Sequence, residues 1–215
     1  MKIIDVNSWE RKKSYDWFSQ FSNPTYHLGA KIDVSALINL KNEYKRFFFG
    51  DMLYLTVKAL NSVPEMRLRI ADDNVVEYDA PSPSFTVATR DGLFDICRAE
   101  WDDDPNVFCK RVRNEIDRTV KYGGNKQFGD ASADVYYVTC LPWLDFETMS
   151  DPIPDDVKSL SIPRICWGKY VFRGGKYEMS LNITVNHALV DGKPLTDAFN
   201  AIQILVNDCR NILIK

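Results

Sequence analysis

The sequence predicts an α+β fold, a mixed sheet flanked by helices, and three observations carry that reading. Helical and strand-like segments are interspersed without strict alternation, which argues against a doubly wound parallel sheet. Two turn clusters, Asp72-Asp73-Asn74 and Arg173-Gly174-Gly175-Lys176, each separate a pair of strand-like runs and read as hairpins. Nothing in the 215 residues repeats at a period of 20–50 or reads as a linker, so residues 1–215 are expected to form a single domain.

In chain order, Ser8 is placed to cap a helix over residues 9 to about 21, which Pro24 stops. Residues 26–32 alternate loosely as a strand. Asp33 starts a second helix with Leu37, Leu40 and Tyr44 at helical spacing, and Asp51 is placed to cap a third, more apolar one. Residues 66–78 form the first hairpin; residues 85–89 are a strand leading to the turn Asp91-Gly92. Asp104-Pro105 opens a helix to about residue 122, closed by Gly123-Gly124. Residues 135–140 form a β-rich run that Pro142 closes, residues 165–172 and 177–186 flank the second hairpin turn, and a final helix spans about residues 193–214.

Composition narrows the class. With 45% hydrophobic and 13% aromatic residues, the chain can bury a core. A formal net charge of -3 removes the basic excess that a general nucleic-acid binder carries, so no nucleic-acid partner is expected. Five cysteines, an odd number without a C-x-x-C, argue against a disulfide framework and a zinc site, and no metal is expected. The absence of a signal-like N-terminus and of a run of about 20 apolar residues leads to the expectation of a cytoplasmic protein without a membrane partner.

Only two histidines occur, His27 and His187. His187 lies in Val185-Asn186-His187-Ala188-Leu189-Val190-Asp191-Gly192, where an apolar strand ends and a Gly-containing turn leads into the last helix. There a rigid backbone can hold an imidazole that titrates near neutrality, suited to accepting and returning a proton. Asp191, four residues on, can brace the turn. Spacing alone leaves the alternative open that His187 is a satisfied buried histidine and Asp191 a turn former.

The motif His187-x-x-x-Asp191-Gly192 resembles the H-x-x-x-D-G signature of chloramphenicol acetyltransferases, shared with the acyltransferase domains of 2-oxoacid dehydrogenase complexes. Trp9-Glu10-Arg11-Lys12, Pro24-Thr25-Tyr26, Pro64-Glu65-Met66-Arg67, Phe85-Thr86-Val87, Thr139-Cys140-Leu141-Pro142-Trp143 and Gly168-Lys169-Tyr170 resemble segments of the chloramphenicol acetyltransferases in the same order, over nearly the whole chain. The resemblance implies the fold of that family and an acetyl-CoA-dependent O-acetyltransferase. Chloramphenicol is its leading acceptor, which would make this an antibiotic-resistance activity. It also implies a homotrimer with active sites at subunit interfaces.

By resemblance, His187 is the general base, Thr139 stands where the family has an oxyanion-donating serine, and Arg11 pairs with Asp191 near the base. Tyr26, Phe94 and Phe128 are candidates for the acceptor pocket. Without the resemblance, Thr139 reads as an ordinary strand residue, Arg11 as a solvated surface residue and the three aromatics as core. Which cations meet the CoA phosphates is unknown; Lys169 and Lys193 are nearest by motif. A Cys140 or Cys166 nucleophile beside His187 would give a covalent route instead. A different hydroxylated or dihydrolipoyl acceptor, and a silent trimeric binding protein, are the competing readings. Asn186 replaces the first of two adjacent family histidines, and residues 147–161 read differently from the family loop, which weakens the case for chloramphenicol more than the case for acetyl transfer.

Overall fold

A computed structural model describes residues 1–90, 92–123 and 132–214 of the chain. Its main sheet runs in the order β2 (Thr25–Asp33), β10 (Lys176–Asn186), β8 (Arg164–Gly168), β7 (Val135–Leu141), β5 (Ser82–Ala88) and β6 (Phe94–Arg98), with β9 (Val171–Arg173) also pairing with β10. The sheet is mixed, as expected: β7 is parallel to both β8 and β5, and the other pairs are antiparallel. A smaller antiparallel sheet holds β1 (Lys2–Ile4), β4 (Asn74–Glu77) and β3 (Leu68–Ala71).

The helices are α1 (Lys12–Phe18), α2 (Ser35–Tyr44), α3 (Phe48–Asn61), α4 (Pro105–Tyr122), α5 (Val157–Ser161), α6 (Gly192–Asn207) and α7 (Cys209–Leu213). The core lies between one face of the sheet and α2, α3, α4 and α6: Leu181, Ile183 and Val185 of β10 meet Leu53, Leu60, Leu195 and Ile202 in one buried cluster. Residues Ser180, Asn182, Thr184 and Asn186 alternate onto the opposite face, where they are also buried. Among the described residues no helix is long and apolar enough to cross a membrane.

Local chemistry explains most boundaries. In the first hairpin Ala71 pairs with Asn74, and Asp72 and Asp73 both take positive φ (47° and 61°), the geometry a two-residue turn of this hand requires. Asp104 caps α4 by accepting from the backbone N–H groups of Asn106 and Val107 with Pro105 at the first turn, and Gly123 ends the helix at φ 84°.

Several expectations need correction. Asp51 does not cap α3 but lies inside it, buried, because Arg46 donates to both of its oxygens at 2.9 and 2.7 Å. The helix expected over residues 9–21 is shorter: the Ser8 hydroxyl turns back to Asp5, and the helix starts after Arg11. The strand expected over residues 165–172 is interrupted. Trp167 pairs with Leu181 and Val171 with Glu178, so three residues oppose two in a β-bulge at Gly168-Lys169-Tyr170. Gly168 fits there because a Cβ would come within 2.7 Å of the Leu144 carbonyl oxygen, which instead accepts from the Lys169 N–H at 2.9 Å. The last helix breaks at Asp208. Strand β1 and helix α5 were not foreseen; each is short and lacks an apolar period of its own.

Candidate active site

The turn that carries His187 is fastened at both ends. Asn186 closes the β10–β2 ladder opposite Thr25, and the His187 N–H donates to the Pro24 carbonyl at 2.9 Å. Asn186 is buried, and its side-chain oxygen accepts from the Ala188 N–H at 2.8 Å while its carbonyl accepts from the N–H groups of Leu189 and Val190. The residue that replaces a family histidine thus makes an Asx-type turn. Asp191 then sits at the N-cap of α6 without capping it. Its carboxylate is bound by Arg11, whose second terminal nitrogen also reaches Asp191 Oδ1 at 3.2 Å and the carbonyls of His187 and Ala188 at 3.3 and 3.4 Å. Trp9 packs against the Arg11 guanidinium at 5.7 Å, which gives the Trp9-x-Arg11 motif a physical content.

Two aromatic rings orient the imidazole. Phe18 stacks on it with centroids 3.9 Å apart and planes at 13°, and Tyr26 lies at 4.6 Å, tilted by 36°. The Tyr26 hydroxyl donates to the Val190 carbonyl at 3.3 Å. Burial first, then the Asp191 charge, pushes that phenol up to about 12 against the opposing pull of Arg11, so it stays a neutral donor. His187 Nδ1 is 3.4 Å from Asp191 Oδ1 but has no hydrogen-bond partner among the described residues. A third of the side chain (33%) remains exposed. A ring held on both faces with one edge open is fit to exchange a proton with a bound molecule. Phe18 was missed by the sequence reading; its signal was its position seven residues, two helical turns, beyond Arg11.

The other expected residues lie elsewhere. Thr139 and Phe94 line a cavity of about 770 Å³ on the face of the sheet opposite the main core, together with Ser84, Met149, Asp151 and Arg164. Phe94 is 55% exposed and therefore belongs to the cavity mouth, not to the core. Phe128 lies outside the described residues. Thr139 pairs with Cys166, and Cys166 with Asn182, so His187 is two strands across and five residues along, about 20 Å away at ordinary strand spacings. One chain therefore does not bring His187 and Thr139 together.

A second cavity, about 700 Å³, opens on the core side of the same strands and is lined by Phe47, Phe48, Phe49, Cys140, Trp143, Trp167 and Tyr170. Lys41, Arg46 and Lys169 stand around it. Lys193 does not: it is exposed and bound to Asp197. Burial pushes the Cys140 thiol up to about 11 and that of Cys166 up to about 12, so both stay protonated and unreactive. His27 is exposed on β2, its Nε2 3.2 Å from the Thr148 hydroxyl.

The mixed sheet thus carries a histidine turn buttressed by an arginine and, two strands away, a hydroxyl-bearing strand over a cavity, and the fold that holds them is that of solved acyltransferases. Among solved structures, a chloramphenicol acetyltransferase superimposes with a TM-score of 0.84 at 24% identity, covering 95% of this chain and 99% of that one. A dihydrolipoamide acetyltransferase of Azotobacter vinelandii shares the fold with a TM-score of 0.71 at 13% identity, covering 94% and 89%. The family described as chloramphenicol acetyltransferase matches residues 1–203, and the chain belongs to it. Chloramphenicol acetyltransferases of Escherichia coli and Campylobacter coli are 25% and 27% identical to it, over 93% and 95% of this chain and 91% and 97% of theirs.

Proposed function

We propose that the protein moves an acetyl group from acetyl-CoA to a hydroxyl, in an active site formed where two copies of the chain meet. His187 of one copy faces Thr139 of its neighbour; the resemblance to the family supports a homotrimer, and the sequence reading supports a single-domain chain working in the cytoplasm. The observation that carries this is the separation of about 20 Å between His187 and Thr139 within one chain, each at an open surface. Chloramphenicol, for which the relatives are named, is the first acceptor to test.

In this reading the His187 imidazole takes the proton as the acceptor oxygen bonds to the thioester carbon. The carbonyl oxygen becomes an oxyanion that the Thr139 hydroxyl meets, a donor of the kind worth about 10²–10³ in rate. Collapse breaks the carbon–sulfur bond, the imidazolium returns its proton to the departing thiolate, and no acetyl-enzyme forms. General-base help of this kind contributes about 10²–10⁴-fold. Arg11 and Asp191 position the turn. The aromatic cavity on the core side fits the pantetheine arm and adenine of CoA. Lys41 and Lys169 are placed for its phosphates, since neither makes an ion pair among the described residues and Arg46 is committed to Asp51.

The test is thiol release from acetyl-CoA with chloramphenicol, first for the unaltered protein and for His187→Ala, which is expected to lose about 10²–10⁴-fold. Inactive His187→Ala and Thr139→Val chains are then refolded together. If sites form between copies, random assembly restores up to about a quarter of the activity, because one contact in four unites an intact histidine with an intact threonine. No recovery on mixing would place both residues in the same chain's site and defeat the proposal.

A further inference from the structure

The cavity around Thr139 is mostly apolar but carries more charge than a neutral acceptor requires. Four charged side chains line it: Asp151, Asp156, Lys158 and Arg164. Three are committed. Asp151 accepts from the Thr184 hydroxyl at 3.0 Å, Asp156 caps α5 by accepting from the Ser159 N–H at 2.8 Å, and Lys158 has interactions of its own.

Arg164 differs. It is 7% exposed, on β8, opposite Tyr137 of β7, and its guanidinium stacks over that ring at 5.2 Å. One terminal nitrogen donates to the carbonyls of Ser159 and Ile162 at 2.9 and 3.1 Å. The other terminal nitrogen and Nε have no hydrogen-bond partner among the described residues, and Arg164 makes no ion pair there. Burial holds its pKa below the usual arginine value, and burial likewise lifts the Asp151 carboxyl toward its neutral form. Asp151 and Asp156 act on it through space, but neither forms an ion pair with it among the described residues, and a buried guanidinium is costly unless its remaining donors are used. Tyr137 is two residues before Thr139 on the same face, so Arg164 sits on the diagonal from Thr139, roughly 7–8 Å between backbones.

We propose that Arg164 is a specificity-determining residue, and that the acceptor this cavity fits is a hydroxylated molecule bearing an anionic oxygen group, a carboxylate being the simplest. The unused fork of Arg164 binds two oxygens of that group while the hydroxyl, one ring's length away, lies at Thr139. This rests on the reading that Thr139 marks the reacting carbonyl.

The experiment compares 4-(hydroxymethyl)benzoate with its methyl ester, two alcohols of one shape that differ in the charge. Binding of each to the full-length protein is measured by calorimetry near pH 7.5 without acetyl-CoA, and thiol release is then measured with it. The acid is expected to bind about 10–100-fold more tightly than the ester, the range for a charge-assisted pair. Arg164→Met is expected to collapse that ratio to near unity, and Arg164→Lys to keep part of it. Equal binding of acid and ester by the unaltered protein overturns the proposal without any variant, even if Arg164→Met fails to fold. An acid preference that survives in folded Arg164→Met overturns it as well. An Arg164-dependent preference with no thiol release from either alcohol leaves the anion site standing and overturns the placement of the acceptor hydroxyl at Thr139, whereas no release with chloramphenicol either defeats the acetyltransferase reading itself.

Discussion

Arg11 and Arg69 both gather backbone carbonyls from segments far apart in sequence, one beside His187 and the other where the two sheets meet. Arg69 is completely buried. It donates to the carbonyls of Ala133, Met66, Leu68 and Val135 at 2.7–3.0 Å and stacks over Tyr136 at 5.1 Å. Every one of its nitrogens donates to a carbonyl rather than to a carboxylate, and burial lowers its pKa to about 10. Arg11 divides its donors between two carbonyls and Asp191, and its Nε, like Nδ1 of His187 beside it, is buried without a hydrogen-bond partner among the described residues. Arg69 exhausts its donors on fixed acceptors. Arg11 shares them with a titratable group next to an imidazole whose Nδ1 is also unmatched, so a substrate or a proton at His187 can change the balance.

The largest effect expected from this contrast is on stability at the sheet junction. Arg69→Ala removes the donors of four buried carbonyls and leaves a void, and is expected to lower the unfolding free energy by about 3–5 kcal/mol. Urea denaturation of the two proteins measures it. A loss below about 1 kcal/mol would mean that the carbonyls find other partners and that Arg69 is not what joins the sheets.

The site arginine's partner should behave in the opposite way. Asp191→Asn keeps the shape of the side chain and removes the charge that Arg11 and His187 share. The Arg11–Asp191 pair is partly exposed, with 41% of the Asp191 side chain open to solvent, so stability should fall by under about 1 kcal/mol. Acetyl transfer should fall about 10-fold, in kcat more than in KM, because the turn loses its fixed orientation while the cavities are untouched. A loss of stability matching that of Arg69→Ala, with kcat preserved, would erase the distinction between the two arginines.

This difference was partly legible in the sequence. The mixed class, both hairpins and the caps of α4 follow from local chemistry that leaves a mark in a few adjacent residues. The His187 turn was visible as a strand end, a histidine and an Asp-Gly pair, and Arg11 came only through resemblance, since nothing local distinguishes it from a solvated arginine. Asp51 shows the limit: an acidic residue near a helix start looks like a cap, and only the fold reveals Arg46 beside it. Arg69 was read as one residue of an alternating strand, because what defines it is which carbonyls another strand brings near, and Arg164 lies just before the strand expected from residue 165 and drew no reading. Phe18 was passed over for the same reason, its partner ring being 169 residues away in sequence.

Tyr26 offers the finest probe of the His187 turn, because its effect depends on pH. The folded phenol titrates at about 12 against an ordinary value of 10.0. A phenol is neutral when protonated, so between these values the unfolded chain has already lost its proton while the folded one keeps it, and stability falls with rising pH. The contribution is complete below about pH 10 and gone by about pH 12. Tyr26→Phe abolishes that titration together with the hydrogen bond to Val190, so at pH 8 the variant should be less stable by about 0.5–1.5 kcal/mol. That gap should narrow as pH rises from 10 toward 12. Tyr54, raised to about 12, and Tyr136, also raised by burial, titrate in both proteins and cancel in the difference. Paired urea titrations at pH 8 and pH 11 measure the narrowing. A gap that stays constant would mean that the phenol beside His187 is as freely solvated as one in the unfolded chain, and that the Asp191 charge does not reach it.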